Sequence, residues 1–323
     1  MGECFLMKMG WFQTPNVNPD NPSEPDTPEL PTLVYSYTGE HTEEDAIFGG
    51  VEYKLLTLIS SGTLTVSRDV EADVWLCGGG GNGNVGDDGG TNTNQESGGG
   101  GGTGYAVQQS IVLSDAIVAT IGAASGQTKF GSISADGAEY SQSANSYWLY
   151  NGNNGGAGGG AGARLYITDE EGEDGYYVSY TTTGGVGIGS GESIVLGTPF
   201  GATTNDYNFG SSLGAGGGGA QYFDDEAWNG GDGGSYGENG KVATLKGTSI
   251  SYGGIGAGGG GNGGDSRPYY LDYDVNLNGR NATWYGCGGG GGGFWGQSSF
   301  AGGTAGSGYQ GVIYIRIKKE DIA

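Results

Sequence analysis

The sequence Val74-Trp75-Leu76-Cys77-Gly78-Gly79-Gly80-Gly81 joins a short apolar segment to the first of six glycine-rich runs. Glycine loses more backbone entropy on ordering than any other residue, so a single run is expected to lack fixed structure. Several runs can order together, because their backbone groups can bond to one another. The other five runs are Gly98–Gly102, Gly155–Gly160, Gly214–Gly219, Gly253–Gly261 and Gly288–Gly293.

Polyproline-II geometry is the conformation that best suits these runs. It has three residues per turn and no internal hydrogen bond, so every N–H and C=O group points sideways. Buried backbone groups need partners, and another such helix can supply them if it packs so closely that only glycine fits between the two. At about 3.1 Å per residue, a six-residue run is about 19 Å long. The sequence therefore predicts a bundle of polyglycine-II helices, with the intervening segments emerging as loops at its ends.

The composition indicates a folded and strongly acidic chain. Its 323 residues include 76 glycines, yet also 21 Tyr, 9 Phe and 6 Trp, which a disordered glycine-rich tail would lack. The formal charge of −24 repels phosphate backbones and anionic lipid surfaces, so no nucleic-acid binding is expected. No apolar stretch approaches the ~20 residues that span a bilayer, so no membrane insertion is expected either.

Short β-branched and aromatic segments predict strands on both sides of the first run. They total about seven or eight, the number in a small β-sandwich. The last segment is expected to pair near Asp73 to Leu76, and helix signals are nearly absent. The fold prediction is an all-β, jelly-roll-like β-sandwich with a large polyglycine-II insertion at about 78–308. The predicted strands are Leu33–Tyr37, Tyr53–Ile59, Thr63–Ser67, Ala72–Leu76, Ile111–Leu113, Ile117–Ile121 and Gly311–Ile317.

Residues 1–32 are predicted to form a separate N-terminal anchor and arm, followed by the main domain at 33–323. Six prolines lie near every third position from Pro15 to Pro31, as in an extended, semi-rigid linker. The apolar residues before this linker are the candidate anchor to a larger particle. No signal peptide is predicted, because these residues lack a basic region and a cleavage site. The anchor candidates are Phe5, Leu6, Trp11 and Phe12.

The order of strand and glycine motifs resembles the glycine-rich domain family of bacteriophage tail and receptor-binding proteins. The resemblance covers residues 72–318, and the layout is also similar to the glycine-rich region of anaplastic lymphoma kinase type receptors. In architecture the chain resembles the tip adhesins of T-even type phages, whose variable loops on a polyglycine-II sandwich contact the host receptor; the arm and the N-terminal sandwich are departures from that pattern. The motifs are Val74–Gly81, Gly99–Tyr105, Val118–Ala123, Thr128–Gly131 and Gly308–Ile317.

The segments between glycine runs carry the candidate recognition residues. Tyr and Trp give rigid, amphipathic contact area, and neighbouring Asp and Asn supply adaptable hydrogen bonds, as in loop-based paratopes. About half of the aromatic rings are expected instead to cap the bundle ends. The receptor-binding candidates are Tyr147, Trp148, Tyr150, Tyr176, Tyr177, Tyr207, Asp224, Asp225, Trp228, Tyr236, Tyr269, Tyr270, Asp272 and Trp284.

Catalysis, metals and cofactors are not expected. The single histidine, His41, is predicted to lie in a surface turn with no nucleophile signature nearby. The acidic residues beside glycine match no full calcium loop, so solvated carboxylates are the favoured interpretation. Cys77 and Cys287 both precede glycine runs; a disulfide between them is conceivable, but two buried thiols are favoured.

Together these features predict a bacteriophage virion protein of a tail fibre, tail tip or other fibre. Residues 1–32 would bind other virion proteins, and the aromatic loops would bind a host surface glycan or outer-surface protein. A homo-oligomer such as a trimer is compatible with this role. Two alternatives remain open: a purely structural fibre or decoration protein, and a bacterial cell-surface adhesin.

Overall fold

A computed structural model describes residues 31–86, 94–96, 98–139, 152–156, 159, 164–167, 176–177, 276–293 and 302–322. Within these ranges strands predominate, the one helical element is a 3-10 turn at Lys319–Asp321, and no α-helix occurs. The strands are β1 (Tyr35–Tyr37), β2 (His41–Phe48), β3 (Val51–Leu58), β4 (Gly62–Val66), β5 (Val70–Cys77), β6 (Asn94–Glu96), β7 (Ala106–Leu113), β8 (Ala116–Thr120), β9 (Thr128–Phe130), β10 (Ile133–Ala135), β11 (Arg164–Ile167), β12 (Tyr176–Tyr177) and β13 (Val312–Lys318).

The strands form two five-stranded antiparallel sheets and one three-stranded antiparallel sheet. The first five-stranded sheet has the order β1-β4-β8-β9-β10 and the second has the order β2-β3-β13-β5-β7. The small sheet has the order β12-β11-β6. The all-β prediction is therefore confirmed. Strands β7 to β10, which lie inside the predicted insertion at 78–308, belong to the two larger sheets.

One buried cluster contains side chains of both five-stranded sheets. Leu64 of β4 and Phe130 of β9 meet Leu56 of β3, Val74 of β5 and Ile315 of β13 there. A second, smaller cluster covers the opposite face of β5 and β13 at the end nearest the glycine runs. Because these two central strands are covered on both faces at that end, they are almost continuously apolar instead of alternating.

The pairing of the last strand is as the sequence predicts. In β13, Ile313 lies opposite Leu76 of β5 and Arg316 lies opposite Asp73. Gly78 follows β5 and Gly311 precedes β13, so the chain leaves and re-enters the sheet at the same end of one strand pair.

The prediction that His41 lies in a surface turn is wrong. His41 begins the eight-residue strand β2, which pairs with β3 along its whole length. The imidazole is half-buried, and its Nδ1 lies 3.2 Å from the carbonyl oxygen of Gly39. The strand was missed because three acidic residues in succession, Glu43 to Asp45, leave it without an alternation of apolar and polar residues. Such charges are typical of an edge strand, and β2 is the first strand in its sheet.

The glycine segments are joined to one another by backbone hydrogen bonds that recur every third residue. In the donor segment 80–86, each step of three residues along the donor chain is matched by a step of three residues back along the acceptor chain. The donor segments 98–104 and 303–309 follow the same rule. Intervening residues bond to other neighbours; for example, Gly81 donates to Gly102. In donor-to-acceptor order, the three series are Gly80, Gly83 and Gly86 to Tyr309, Gly306 and Gly303; Gly98, Gly101 and Gly104 to Gly292, Gly289 and Gly286; and Gly303, Gly306 and Tyr309 to Gly293, Gly290 and Cys287.

The segments lie so close together that side chains are excluded at the contact positions. A Cβ atom added to Gly80 would lie 1.9 Å from the carbonyl oxygen of Cys287, and one added to Gly86 would lie 1.8 Å from that of Gly293. Gly81 differs, because the nearest atom to its added Cβ would be the methyl carbon of Ala138 at 3.1 Å.

These two neighbouring glycines provide a matched test of the close packing. Gly80→Ala is expected to lower the free energy of unfolding by about 3 kcal/mol or more, because the two backbones must separate. Gly81→Ala is expected to change it by less than about 1 kcal/mol, because only a side-chain methyl group must adjust. Denaturant unfolding of both variants checks the prediction, and equal losses would contradict it.

Candidate functional site

Three of the predicted receptor-binding residues lie within the described part of the chain. Tyr176 and Tyr177 form the short strand β12, in which Tyr177 lies opposite Tyr166 of β11. Trp284 lies in a turn before the glycine run at 288–293. The following predicted residues lie outside the described ranges: Tyr147, Trp148, Tyr150, Tyr207, Asp224, Asp225, Trp228, Tyr236, Tyr269, Tyr270 and Asp272, and the anchor residues Phe5, Leu6, Trp11 and Phe12.

Trp284 belongs to a surface cluster of three aromatic rings, which we call the aromatic cluster: Trp284, Tyr285 and Tyr309. The ring centroids of Trp284 and Tyr285 are 5.5 Å apart with an interplanar angle of 66°, and those of Tyr285 and Tyr309 are also 5.5 Å apart at 77°. Edge-to-face pairs of this kind are favourable arrangements of aromatic rings. Trp284 is 40% exposed and Tyr309 is 37% exposed, so the two outer rings are available to a ligand.

A tight turn fixes the backbone beneath the rings. The N–H group of Cys287 donates to the carbonyl oxygen of Trp284 at 3.2 Å, and Gly286 has a φ of +66°, which favours glycine at this position. Gly286 in turn donates to the carbonyl oxygen of Gln310, and Tyr309 donates to that of Cys287. The turn and the segment that carries Tyr309 are therefore joined by two backbone bonds.

The central ring, Tyr285, connects the cluster to the interior. It packs against the second buried cluster, which contains Trp75 and Tyr314. Burial, followed by the proximity of Tyr309 and Glu40, raises the pKa of the Tyr285 hydroxyl. That hydroxyl consequently stays protonated and neutral at physiological pH and can donate as well as accept a hydrogen bond.

The two cysteines near this site are free thiols. Cys77 and Cys287 are both buried, and the thiol of Cys287 lies 3.6 Å from the carbonyl oxygen of Tyr285. Burial raises the pKa of Cys287 to about 12 and also raises that of Cys77, so both remain protonated. The structure agrees with the favoured prediction of buried thiols, because it contains no disulfide between them.

The arrangement is suited to binding. Two exposed rings, each packed edge-to-face against Tyr285, can lie against an apolar face of a ligand, while the phenol groups bond to its polar atoms. Within the described ranges, no group of three or more His, Cys, Asp or Glu residues could hold a metal ion. No helix in those ranges has the length and apolar character needed to span a membrane.

Comparisons of the chain with protein-family models, curated proteins and solved structures found no match.

Sequence reasoning selected Trp284 but missed the contribution of Tyr309. Trp284 lies in an aromatic segment between glycine runs, which is the pattern that the selection used. Tyr309 lies just before the last strand and was assigned to that motif instead. Two features of the sequence could have placed Tyr309 in the glycine region: it follows Gly308, and it continues the three-residue spacing of Gly303 and Gly306.

Substituting two neighbouring rings of the aromatic cluster should distinguish a ring that is available for binding from a ring that stabilises the fold. Trp284→Ala is expected to lower the free energy of unfolding by about 1 kcal/mol or less, because the residue is exposed and the substitution removes one aromatic contact. Tyr285→Ala is expected to lower it by about 2 kcal/mol or more, because that ring packs on the buried cluster. Thermal or denaturant unfolding measures both; a larger loss for Trp284→Ala would assign it a structural role.

Proposed function

We propose that this protein is a bacteriophage virion component, in a tail fibre, tail tip or other fibre at the particle surface, that binds the host receptor through aromatic loops on a glycine scaffold. The single observation that carries the proposal is the aromatic cluster, in which the exposed rings of Trp284 and Tyr309 lie on a turn and on an adjoining segment that backbone hydrogen bonds join together. The order of motifs along residues 72–318 supports the same assignment. In this proposal the ligand is a host surface glycan or an outer-surface protein.

We also propose the finer architecture on which this function rests: a jelly-roll-like β-sandwich carrying a bundle of polyglycine-II helices. The sandwich is supported by the buried cluster shared between the two five-stranded sheets. The polyglycine-II assignment is supported by hydrogen bonds that recur every third residue, since that helix has three residues per turn and directs its backbone groups sideways. Such a bundle holds recognition loops rigidly without needing an apolar core of its own.

The acidic composition favours some receptors over others. With a net charge of −24, the chain would be repelled by strongly anionic polymers unless salt screened the interaction. The exposed indole of Trp284 suits the apolar face of a sugar ring, and the phenol groups of Tyr285 and Tyr309 suit its hydroxyl groups.

Binding of the purified full chain to host cells tests the recognition role. The double variant Trp284→Ala, Tyr309→Ala is expected to weaken binding roughly tenfold or more, because exposed aromatic anchors contribute much of the affinity of such sites. Trp284→Phe should retain most of the binding, since it keeps an aromatic face. Val118→Ala, which changes an exposed side chain on β8, serves as the control. Undiminished binding by the double variant would overturn the assignment of this cluster to the receptor site.

The proposed anchor has a separate test. Deleting residues 1–32 is expected to abolish incorporation into particles while leaving a folded domain, since every described strand of the two five-stranded sheets lies after residue 32. Particle composition by mass spectrometry and unfolding of the truncated protein provide the two measurements. Incorporation at the normal level would refute the anchor. If the protein is instead a purely structural fibre component, the aromatic double variant should fail to enter particles, and neither the unmodified chain nor the double variant should bind host cells.

A further inference from the structure

We propose that the outer face of the second five-stranded sheet holds a second binding site, a groove that takes a neutral, hydroxyl-rich ligand of the saccharide class. The groove has a volume of about 300 Å³, at the lower end of the range for ligand pockets. It lies on the face of β3, β13, β5 and β7 that is turned away from the main buried cluster. Its principal lining residues are Tyr53, Glu71, Asp73, Ser110, Arg316 and Lys318.

The floor of the groove is a pre-organised polar network. Asp73 lies opposite Arg316 on one side and opposite Ser110 on the other. The Arg316 guanidinium donates to Asp73 Oδ2 from Nη2 at 2.6 Å and from Nε at 3.1 Å, and Ser110 Oγ donates to Asp73 Oδ1. The guanidinium carbon of Arg316 also lies 4.7 Å from the centre of the Tyr53 ring. These contacts hold four side chains from four strands in one geometry before any ligand arrives.

The network leaves suitable hydrogen-bonding capacity for hydroxyl groups. Burial opposes ionisation of Asp73, but the bonds from Ser110 and Arg316 outweigh it and lower the pKa of the carboxyl group. Asp73 is therefore an ionised acceptor, and Ser110 keeps acceptor lone pairs after donating its proton. Exposed Val112, at 56%, adds an apolar patch at the β7 side of the groove. Hydroxyl groups beside an apolar surface are the combination that a sugar ring presents.

Charge balance selects a neutral ligand. The groove is lined by two carboxylates, Glu71 and Asp73, and by two cations, Arg316 and Lys318, in a chain whose overall charge is −24. An anionic ligand would meet both carboxylates and the field of the whole chain. A cationic ligand would meet Arg316 and Lys318 at close range. A neutral polyol avoids both costs. Because the groove runs across the strands on the face of the sheet, its ligand need not form hydrogen bonds with the backbone of an edge strand.

Titration of the full chain with neutral oligosaccharides of hexoses and N-acetylhexosamines, followed by methyl and amide NMR, tests the groove. Shifts are expected at Val112, Ser110 and Tyr53. Val112→Trp, which fills the groove, should weaken this binding roughly tenfold or more. The matched control Val118→Trp places the same ring on a similarly exposed valine of β8, which is 62% exposed, and should leave binding unchanged.

Three outcomes would overturn the proposal: no shift at these residues with any neutral oligosaccharide, equal losses in both tryptophan variants, or stronger binding of hexalysine or of oligogalacturonate at the same residues. The double variant Trp284→Ala, Tyr309→Ala separates this site from the aromatic cluster. It should keep the groove binding even if it loses host binding, so either proposal can fail without the other.

Discussion

Backbone hydrogen bonding between glycine segments is the interaction on which the rest of the structure depends. Each segment satisfies its buried N–H groups with carbonyl groups of its neighbours, in steps of three residues. Cβ atoms added at positions such as Gly83 and Gly291 would lie within about 2 Å of a carbonyl oxygen of a neighbouring segment. The distance that permits the bonds is therefore the distance that excludes side chains. This coupling explains why so much glycine is retained despite its entropic cost.

The requirement for glycine applies to particular close-packed positions and does not extend to every residue of a glycine run. Asn82 lies between close-packed glycines, and its Oδ1 accepts from the N–H group of Gly308. Asn278 and Asn281, three residues apart, accept in the same way from Thr304 and Ser307. Amide side chains thus replace backbone carbonyl groups at the margin of the glycine segments. The three-residue spacing persists where the uninterrupted glycine run does not.

Much of the fold could be predicted from the sequence because its signals are local. Apolar segments such as Val74–Leu76 indicate strands by composition alone, and β13 could be paired with β5 because both meet the glycine region. Strand β2 was missed because its acidic residues serve an edge and do not alternate. The contribution of Tyr309 could not be predicted, because its approach to Tyr285 depends on a turn and a backbone bond to Cys287. A usable but unused signal lay in Asp73 and Arg316, two opposite charges interrupting apolar strands that were expected to pair.

The second buried cluster links the glycine region mechanically to the sheets. Trp75, Cys77 and Tyr314 lie on the outer face of the sheet, yet they are fully or almost fully buried and Tyr285 packs against them. Further along the same face the cover ends, and Arg316, Asp73 and Ser110 form the polar groove. One sheet face therefore serves two purposes along its length. Its buried end, where β5 ends and β13 begins, lies next to the glycine region and supports the turn beneath the aromatic cluster. Its open end lies further from that region and presents fixed polar groups.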